Sequence, residues 1–170
     1  MSGEERTISY ASPLGTLTLA GEGESITGLW MENQKYFGST LTPCAREGTL
    51  PVLEQAKKWL DAYFAGEKPG LTLPLAPRGS AFRQAVWQVL IEIPYGTVIT
   101  YGEIARRLEE ASGKRVSPRA VGGAVGHNPI SLIIPCHRVV GAGGGLAGYA
   151  GGVEKKLWLL QWEGAPLLPR

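Results

Sequence analysis

The chain contains little cysteine and little histidine, with two residues of each among 170. The cysteines, Cys44 and Cys136, lie 92 positions apart and form no CxxC pair, so we expect reduced thiols in an intracellular protein. No apolar run approaches the roughly 18 residues that a membrane-spanning helix needs. The first residues also lack the basic and apolar regions of a secretory signal. These absences predict a globular protein located in the cytoplasm.

Charged residues are also sparse, at 19% against 44% hydrophobic residues, and the formal net charge is +2. This composition excludes a disordered or polyelectrolyte chain. Residues 1–78 carry seven basic and nine acidic side chains, whereas residues 79–170 carry ten and six. A nucleic-acid ligand would therefore bind more favourably to the second part, although many domains of this size carry such a balance without that function.

The first part of the chain has the pattern of a small α/β unit. Apolar and polar residues alternate in residues 7–10, 16–19 and 26–30, with turn residues between them, which predicts an antiparallel meander. Apolar positions at helical spacing predict a helix over 52–64, opened by Pro51. The proline-containing segment 70–81 predicts an extended linker, so we place the domain boundary near residue 78.

The second part has a mainly helical pattern. The first predicted helix covers residues 82–93, with Ser80 as its N-cap. A second helix begins after Thr100 and a third opens at Pro118, with a polar, basic turn over 112–117 between them. Two short helices joined in this way indicate a helix-turn-helix for DNA binding. An ordinary helical hairpin fits the same spacing.

The third helix is unusual because Gly122, Gly123 and Gly126 follow Arg119 within it. Each glycine costs about 1 kcal/mol relative to alanine in a helix interior. Small residues allow the backbone to come close to another surface, and the DNA minor groove is only about 6 Å wide. The glycines therefore fit either a helix that lies in a minor groove or tight packing between helices.

Cys136 is the strongest candidate for a reactive residue. We predict a buried strand over residues 131–134 that Pro135 distorts just before the cysteine. An unpaired cysteine is often buried and inert, but the polar neighbours His137 and Arg138 can both favour a thiolate. Adjacent strand residues point to opposite faces, so contact between Cys136 and His137 would require a bridging water or a bent backbone.

Two other sites are excluded by spacing and context. A zinc site would need Cys44, His127, Cys136 and His137 together, and their spacing matches no zinc pattern. Residues 143–148 match GxGxxG, but no helix opens inside the motif and no strand can follow it, which excludes a dinucleotide site. The last predicted helix covers residues 153–162 and is followed directly by Glu163.

Several segments carry a more specific pattern. They are FRQAVWQVLIEIPYG and YGEIA within residues 82–105, RAVGGA at 119–124, Asn128-Pro129, and PCHRV at 135–139. Together they resemble the O6-alkylguanine-DNA alkyltransferase family, in particular its bacterial members, over most of residues 80–164. Residues 1–78 match more loosely, through SPLGTLTLA and LDAYFAGE.

This resemblance implies a fold and an activity. The fold is an N-terminal α/β subdomain over 1–78, with a ribonuclease-H-like antiparallel sheet and a helix, followed by a mainly α subdomain over 79–170 with a helix-turn-helix in the minor groove. The activity is DNA repair by irreversible, single-turnover transfer of an alkyl group from O6-alkylguanine to Cys136. Whether O4-alkylthymine is also a substrate stays open.

The resemblance also assigns roles to individual residues. Cys136 is the acceptor that attacks the alkyl carbon, His137 acts as its base through a water molecule, and Glu163 orients the imidazole. Asn128 supports the turn around the site, and Tyr101 assists protonation of the leaving guanine.

Arg119 is expected to enter the base stack and to fill the space of a flipped nucleotide. The other residues expected to contact DNA are Lys114, Arg115, Ala120, Gly122 and Gly123. The residues expected to line the base pocket are Val139, Tyr149, Ala150 and Gly151, with the backbone of Gly148.

The chain departs from the family pattern in two respects. Some relatives have serine at the position of Ala150, so only a backbone N–H can contact the guanine O6 here. The N-terminal cysteines and histidines that bind zinc in certain members are absent, and we expect neither metal nor cofactor.

The expected partner is double-stranded DNA that contains O6-alkylguanine, bound by a monomer, with cooperative binding left open. A lesion-binding module without transfer and a cysteine hydrolase are the alternative functions.

Overall fold

The computed structural model describes residues 4–146 and 149–166. The chain divides into two compact units, Met1–Arg78 with Pro129–Ile133, and Gly79–Asn128 with Ile134–Arg170. No sequence pattern indicated that residues 129–133 would join the first unit. No helix in the described ranges is long and apolar enough to cross a membrane.

The first unit is built on a four-stranded sheet. Strands β1 (Arg6–Ser12), β2 (Gly15–Glu22) and β3 (Ser25–Met31) form the antiparallel meander that the alternating pattern predicted. A short strand β4 (Arg46–Glu47) extends the sheet parallel to β1, in the order β3-β2-β1-β4. Two residues are too few to produce an alternating pattern, which explains why the sequence did not predict β4.

One helix, α1 (Pro51–Phe64), covers this sheet and confirms the helix predicted from residue 52 onward. Proline in its first turn leaves no hydrogen bond unmade, because the first N–H groups of a helix have no partner inside it. Its buried residues Leu53 and Leu60 pack in a core that also contains Leu19 and Leu29 of the sheet. The first unit is therefore the α/β unit that the sequence predicted.

The strand predicted over residues 131–134 is wrong. These residues form turns, although Leu29 N–H donates to Pro129 O (2.9 Å) and Ser131 N–H donates to Leu29 O (2.9 Å) beside β3. Leu132 has φ +71°, the left-handed conformation, which breaks the extended backbone a strand requires. The apolar run indicated burial correctly, but burial alone does not distinguish a strand from a buried turn.

The second unit is mainly helical, as predicted. Its elements are α2 (Ala81–Ile91), β5 (Ile99–Thr100), α3 (Tyr101–Ser112), α4 (Pro118–Gly126), β6 (Val139–Val140) and α5 (Val153–Trp162). Ser80, Thr100 and Ser117 cap α2, α3 and α4 through their side-chain oxygens. The short strands β5 and β6 pair in parallel.

Helices α3 and α4 have the helix-turn-helix form. Helix α3 ends at Ser112 and is capped by Gly113, whose φ of +72° is the left-handed conformation that glycine adopts without strain. Helix α4 packs on α2 and α3, and Trp87 Nε1 of α2 donates a hydrogen bond to Ala124 O (2.8 Å). The indole N–H therefore holds the second helix of the pair at a defined position.

Candidate active site around Cys136

Cys136 begins a 3₁₀ helix, Cys136–Arg138, that follows the buried turns and leads into β6. Cys136 N–H donates to Ile134 O (2.7 Å) and Arg138 N–H donates to Pro135 O (3.0 Å), so the backbone here is tightly bent. Successive side chains of a 3₁₀ helix project about 120° apart. The side chains of Cys136, His137 and Arg138 therefore face different parts of the site. The cause is the 3₁₀ helix and not the strand geometry that the sequence suggested.

His137 is completely buried and pairs with Glu163 at the end of α5. The distance from His137 Nε2 to Glu163 Oε2 is 2.7 Å. A carboxylate only accepts hydrogen bonds, so Nε2 carries the hydrogen. Burial lowers the pKa of His137, against the raising effect of Glu163, and favours the neutral ring. Nδ1 is then an unprotonated acceptor, and it has no hydrogen-bond partner among the described residues.

Arg138 holds Glu163 from the other side. Its Nε and Nη2 donate to Glu163 Oε1 (2.8 Å) and Oε2 (3.1 Å), and its Nη1 donates to Ile93 O (2.7 Å). Burial would raise the pKa of Glu163, but the hydrogen bonds and charges of His137 and Arg138 outweigh it and keep that pKa well below its usual range. Glu163 is therefore a charged anchor for the imidazole at neutral pH.

The Cys136 thiol is 3% exposed, and burial raises its pKa. Hydrogen bonds from the Asn128 and Tyr149 side chains and the charge of Lys156 oppose that rise. Asn128 Nδ2 also donates to Ile134 O (2.8 Å), which fits its predicted role in supporting the turn. The structure thus brings Asn128 and Tyr149 to the thiol.

Arg138 has a different partner from the one that the sequence suggested, and a second cation, Lys156, acts on the thiol in its place. Arg138 was expected to favour the thiolate, but it pairs with Glu163, and the cation that acts on Cys136 is Lys156. The sequence analysis missed Lys156. Its only signal was a lysine at helical spacing with Leu159, Leu160 and Glu163 on the inward face of α5.

Tyr101 is the first residue of α3 and is half-buried. Burial raises the pKa of its hydroxyl, and the charge of Cys136 raises it further. A phenol whose pKa is raised stays protonated and can donate a hydrogen bond. Tyr101 is therefore brought close to Cys136, where it can serve as a donor.

The remaining pocket residues are distributed around the site. Val139 is fully buried in β6 opposite Ile99, whereas Ala150 and Gly151 are half-buried in the turn before α5. The prediction for Gly148 lies outside the described residues. In the ranges 4–146 and 149–166, no group of three or more histidine, cysteine, aspartate or glutamate side chains could hold a metal ion.

One face of the helix-turn-helix is exposed and has few bulky side chains. Among the residues expected to contact DNA, Gly122 is half-buried. The others are exposed: Lys114, Arg115, Arg119, Ala120 and Gly123. A Cβ added at Gly122 would meet the Tyr101 ring at 3.9 Å, but one added at Gly123 or Gly126 would meet nothing within 4 Å. Helix packing therefore does not require glycine at these last two positions.

A buried thiol in the residue before a histidine–carboxylate pair, in the same unit as a helix-turn-helix, defines a helix-turn-helix protein with a cysteine site. A model described as 6-O-methylguanine DNA methyltransferase, DNA binding domain, matches residues 81–165. The ribonuclease-like domain of the same methyltransferase matches residues 6–77. The chain belongs to the 6-O-methylguanine DNA methyltransferase family, which confirms the resemblance drawn from its motifs.

Individual relatives match this chain over most of their own length. The methylated-DNA--protein-cysteine methyltransferase of Haemophilus influenzae is 43% identical over 162 residues, which cover 95% of this chain and 87% of that protein. The Mycobacterium tuberculosis protein of the same name is 47% identical over 93% of this chain and 90% of its own. The crystal structure of Mycobacterium tuberculosis OGT in complex with DNA superposes with a TM-score of 0.80 and 44% identity, covering 96% of this chain and 95% of that one.

The buried His137–Glu163 pair predicts that acid destabilises the fold in two stages. The His137 pKa is lowered by burial, so the stability from keeping the ring neutral is present above the unfolded value of about 6.5 and is lost below it. The Glu163 pKa is also lowered, so its contribution is present above about 4.3 and is lost as the pH falls further.

Urea denaturation at a series of pH values measures this effect. Stability should fall between pH values of about 7 and 5 in the wild type, and this fall should be smaller in His137→Gln. Equal profiles for the two proteins would contradict the assignment of the first stage to His137.

Proposed function

We propose that the protein repairs DNA by moving one alkyl group from the O6 atom of guanine in double-stranded DNA to the sulfur of Cys136. The observation that carries this proposal is the buried His137, the residue after the buried Cys136, which Glu163 holds with an unprotonated Nδ1. Such an arrangement is a nucleophile with its own base and an orienting carboxylate. Membership of the methyltransferase family and the names of its relatives support the same reaction.

The reaction proceeds as a displacement at the alkyl carbon. His137 Nδ1 takes the thiol proton through one water molecule, and Glu163 compensates the charge that forms on the ring. The Cys136 sulfur attacks the alkyl carbon in line, and the bond from carbon to O6 breaks with its electrons moving to the guanine. Tyr101 assists protonation of the leaving base. The thioether that forms cannot be hydrolysed by water under these conditions, so each molecule acts once.

The shape of α4 supports minor-groove binding and base flipping. Gly123 and Gly126 carry no side chain, although packing inside the protein would leave room for one at either position. The absence of side chains there favours close approach of α4 to a narrow groove. Arg119 is the exposed long side chain at the start of this helix and fills the space of the flipped nucleotide. Lys114 and Arg115, in the preceding turn, contact phosphates.

The alkylated base then lies among the residues expected to line the pocket: Val139, Tyr149, Ala150 and Gly151. Because Ala150 has no hydroxyl group, a backbone N–H in this turn contacts the guanine O6. The protein binds DNA as a monomer in this proposal, and its cytoplasmic location stays a prediction that rests on the reduced cysteines.

The intact mass of the protein after reaction with an O6-methylguanine duplex tests the function. We expect the mass to increase by one methyl group per molecule, located on Cys136 by peptide mapping. Exposed Cys44 is the internal control and should stay unmodified, and Cys136→Ser should gain no mass. Methyl on Cys44, or more than one product per protein molecule, would contradict the proposal.

The same experiment separates the alternative functions. A lesion-binding module would bind the methylated duplex without any gain in mass. A cysteine hydrolase would release many product molecules from each protein molecule and return to its original mass. A stable gain of one methyl group excludes both.

A further inference from the structure

Lys156 is a buried lysine that the proposed reaction does not yet use. Its side chain is 0% exposed, and Nζ has no hydrogen-bond partner within residues 4–146 and 149–166. Lysine is almost never fully buried unless it is paired with another group. Its Nζ lies 5.9 Å from the centroid of the Tyr149 ring, which offers a favourable but uncharged surface.

Lys156 and Glu163 lie on the same face of α5. They are seven residues apart, which corresponds to about two helical turns and about 10 Å along the axis. Glu163 faces His137 and Arg138 of the 3₁₀ helix, and the charge of Lys156 acts on Cys136 of the same short segment. One helix therefore places an anion and a cation against three consecutive residues.

The charges around this segment balance only if Lys156 and Cys136 form a pair. Glu163 is neutralised by Arg138, and His137 is neutral because burial lowers its pKa. The Tyr101 hydroxyl is neutral as well, since burial raises its pKa. A buried ammonium without a counter-charge is strongly unfavourable, and the Cys136 thiolate is the remaining group that can supply one in the described part of the site.

We propose that Lys156 is the positioning residue that favours ionisation of Cys136: its buried ammonium is the counter-charge of the thiolate that forms when His137 takes the thiol proton. The proposal rests on the proposed function, because it takes Cys136 as the acceptor. The thiol proton leaves through His137, and Lys156 acts by its charge alone, with no proton transfer and no contact with the alkyl group.

The protonation state of Lys156 is consistent with this role. Burial lowers the pKa of Lys156 to about 8, with the charge of Cys136 acting in the opposite direction. The ammonium form therefore still predominates at neutral pH. Around and above pH 8 the lysine loses its charge, and the thiolate loses its partner.

Ultraviolet titration of the thiolate tests the proposal directly. The Cys136→Ser spectrum is subtracted at each pH, which removes the signal of Cys44. We expect the Cys136 pKa to rise by about one to three units in Lys156→Met and to stay near the wild-type value in Lys156→Arg. Lys155→Met changes the adjacent, half-buried residue of α5 and is the matched control. It should leave the Cys136 pKa unchanged.

The pH profile of reaction with free O6-benzylguanine gives a second readout that a purely structural role would not move. The Lys156→Met profile should shift to higher pH and reach a similar plateau. At neutral pH the rate should fall about tenfold for each unit of that shift. An unchanged Cys136 pKa in folded Lys156→Met would overturn the proposal.

If Lys156→Met does not fold, the proposal can be tested from the other member of the pair, by measuring the Lys156 pKa in a Cys136 variant. The Lys156 pKa, followed by NMR, should be lower in Cys136→Ser than in the wild type, because two coupled groups shift each other. An equal Lys156 pKa in both proteins would overturn the proposal. Failure of the proposed function is distinct from either outcome, since the wild type would then gain no alkyl group at any pH.

Discussion

His137→Ala is expected to slow alkyl transfer at neutral pH by about 10²- to 10⁴-fold, the usual contribution of a positioned general base. The variant loses Nδ1, the unprotonated acceptor that takes the thiol proton in the proposed reaction. Single-turnover rates with an O6-methylguanine duplex measure the loss. Affinity for undamaged DNA should barely change, because the buried imidazole does not reach a phosphate. A wild-type rate in this variant would remove the support for the relay.

Glu163→Gln tests the other member of the pair. The amide retains the shape of the side chain but leaves Arg138 without a carboxylate, and breaking a buried ion pair costs about 3–5 kcal/mol. We therefore expect both a lower free energy of unfolding and slower transfer. Glu154→Gln, an exposed change in the first turn of the same helix, is the matched control and should alter neither quantity.

Arg119→Ala is expected to slow repair in duplex DNA far more than reaction with free O6-benzylguanine. Unstacking a base costs a few kcal/mol, which the inserted arginine offsets. Since each 1.4 kcal/mol corresponds to a factor of about ten, the loss on duplex DNA should be about 100-fold. The free base needs no flipping, so its rate should be nearly unchanged. Arg119→Lys should recover only part of the duplex activity.

Alanine variants of Lys114 and Arg115 are the controls for this experiment. A phosphate contact contributes to binding on all DNA, so each variant should weaken binding uniformly and lower the salt dependence by about one unit. Arg119→Ala should leave that salt dependence closer to the wild-type value. Equal losses on duplex and free base would assign Arg119 to the chemistry or the fold instead of base flipping.

Most of the secondary structure could be predicted from local patterns. The alternation in residues 7–10, 16–19 and 26–30 and the cap residue Ser80 act over a few neighbouring positions. The structure confirms the elements that they predicted. The buried segment after Asn128 could not be predicted in the same way. Its apolar residues indicate burial, but the left-handed Leu132 that turns the chain has no local signature.

The residues of the candidate site could also be predicted only in part from the sequence. The segment PCHRV and the glycines of α4 pointed to Cys136, His137 and Arg119 through resemblance to the family, and the start and end of the last helix followed from its spacing. The partners of these residues did not follow. Arg138 was expected to act on the neighbouring thiol, but it donates to Glu163, 25 positions further along the chain.

The helices, the meander and Cys136 as the candidate reactive residue could be predicted from the sequence, because they depend on short-range periodicity, caps and a contiguous motif. Which charges meet depends on the tertiary structure. Lys156 is one lysine among others in the sequence, and it becomes the counter-charge of Cys136 because α5 packs against the 3₁₀ helix and excludes water from both. Electrostatic interactions act through space and strengthen as water is removed, so the chain order of the residues does not reveal them.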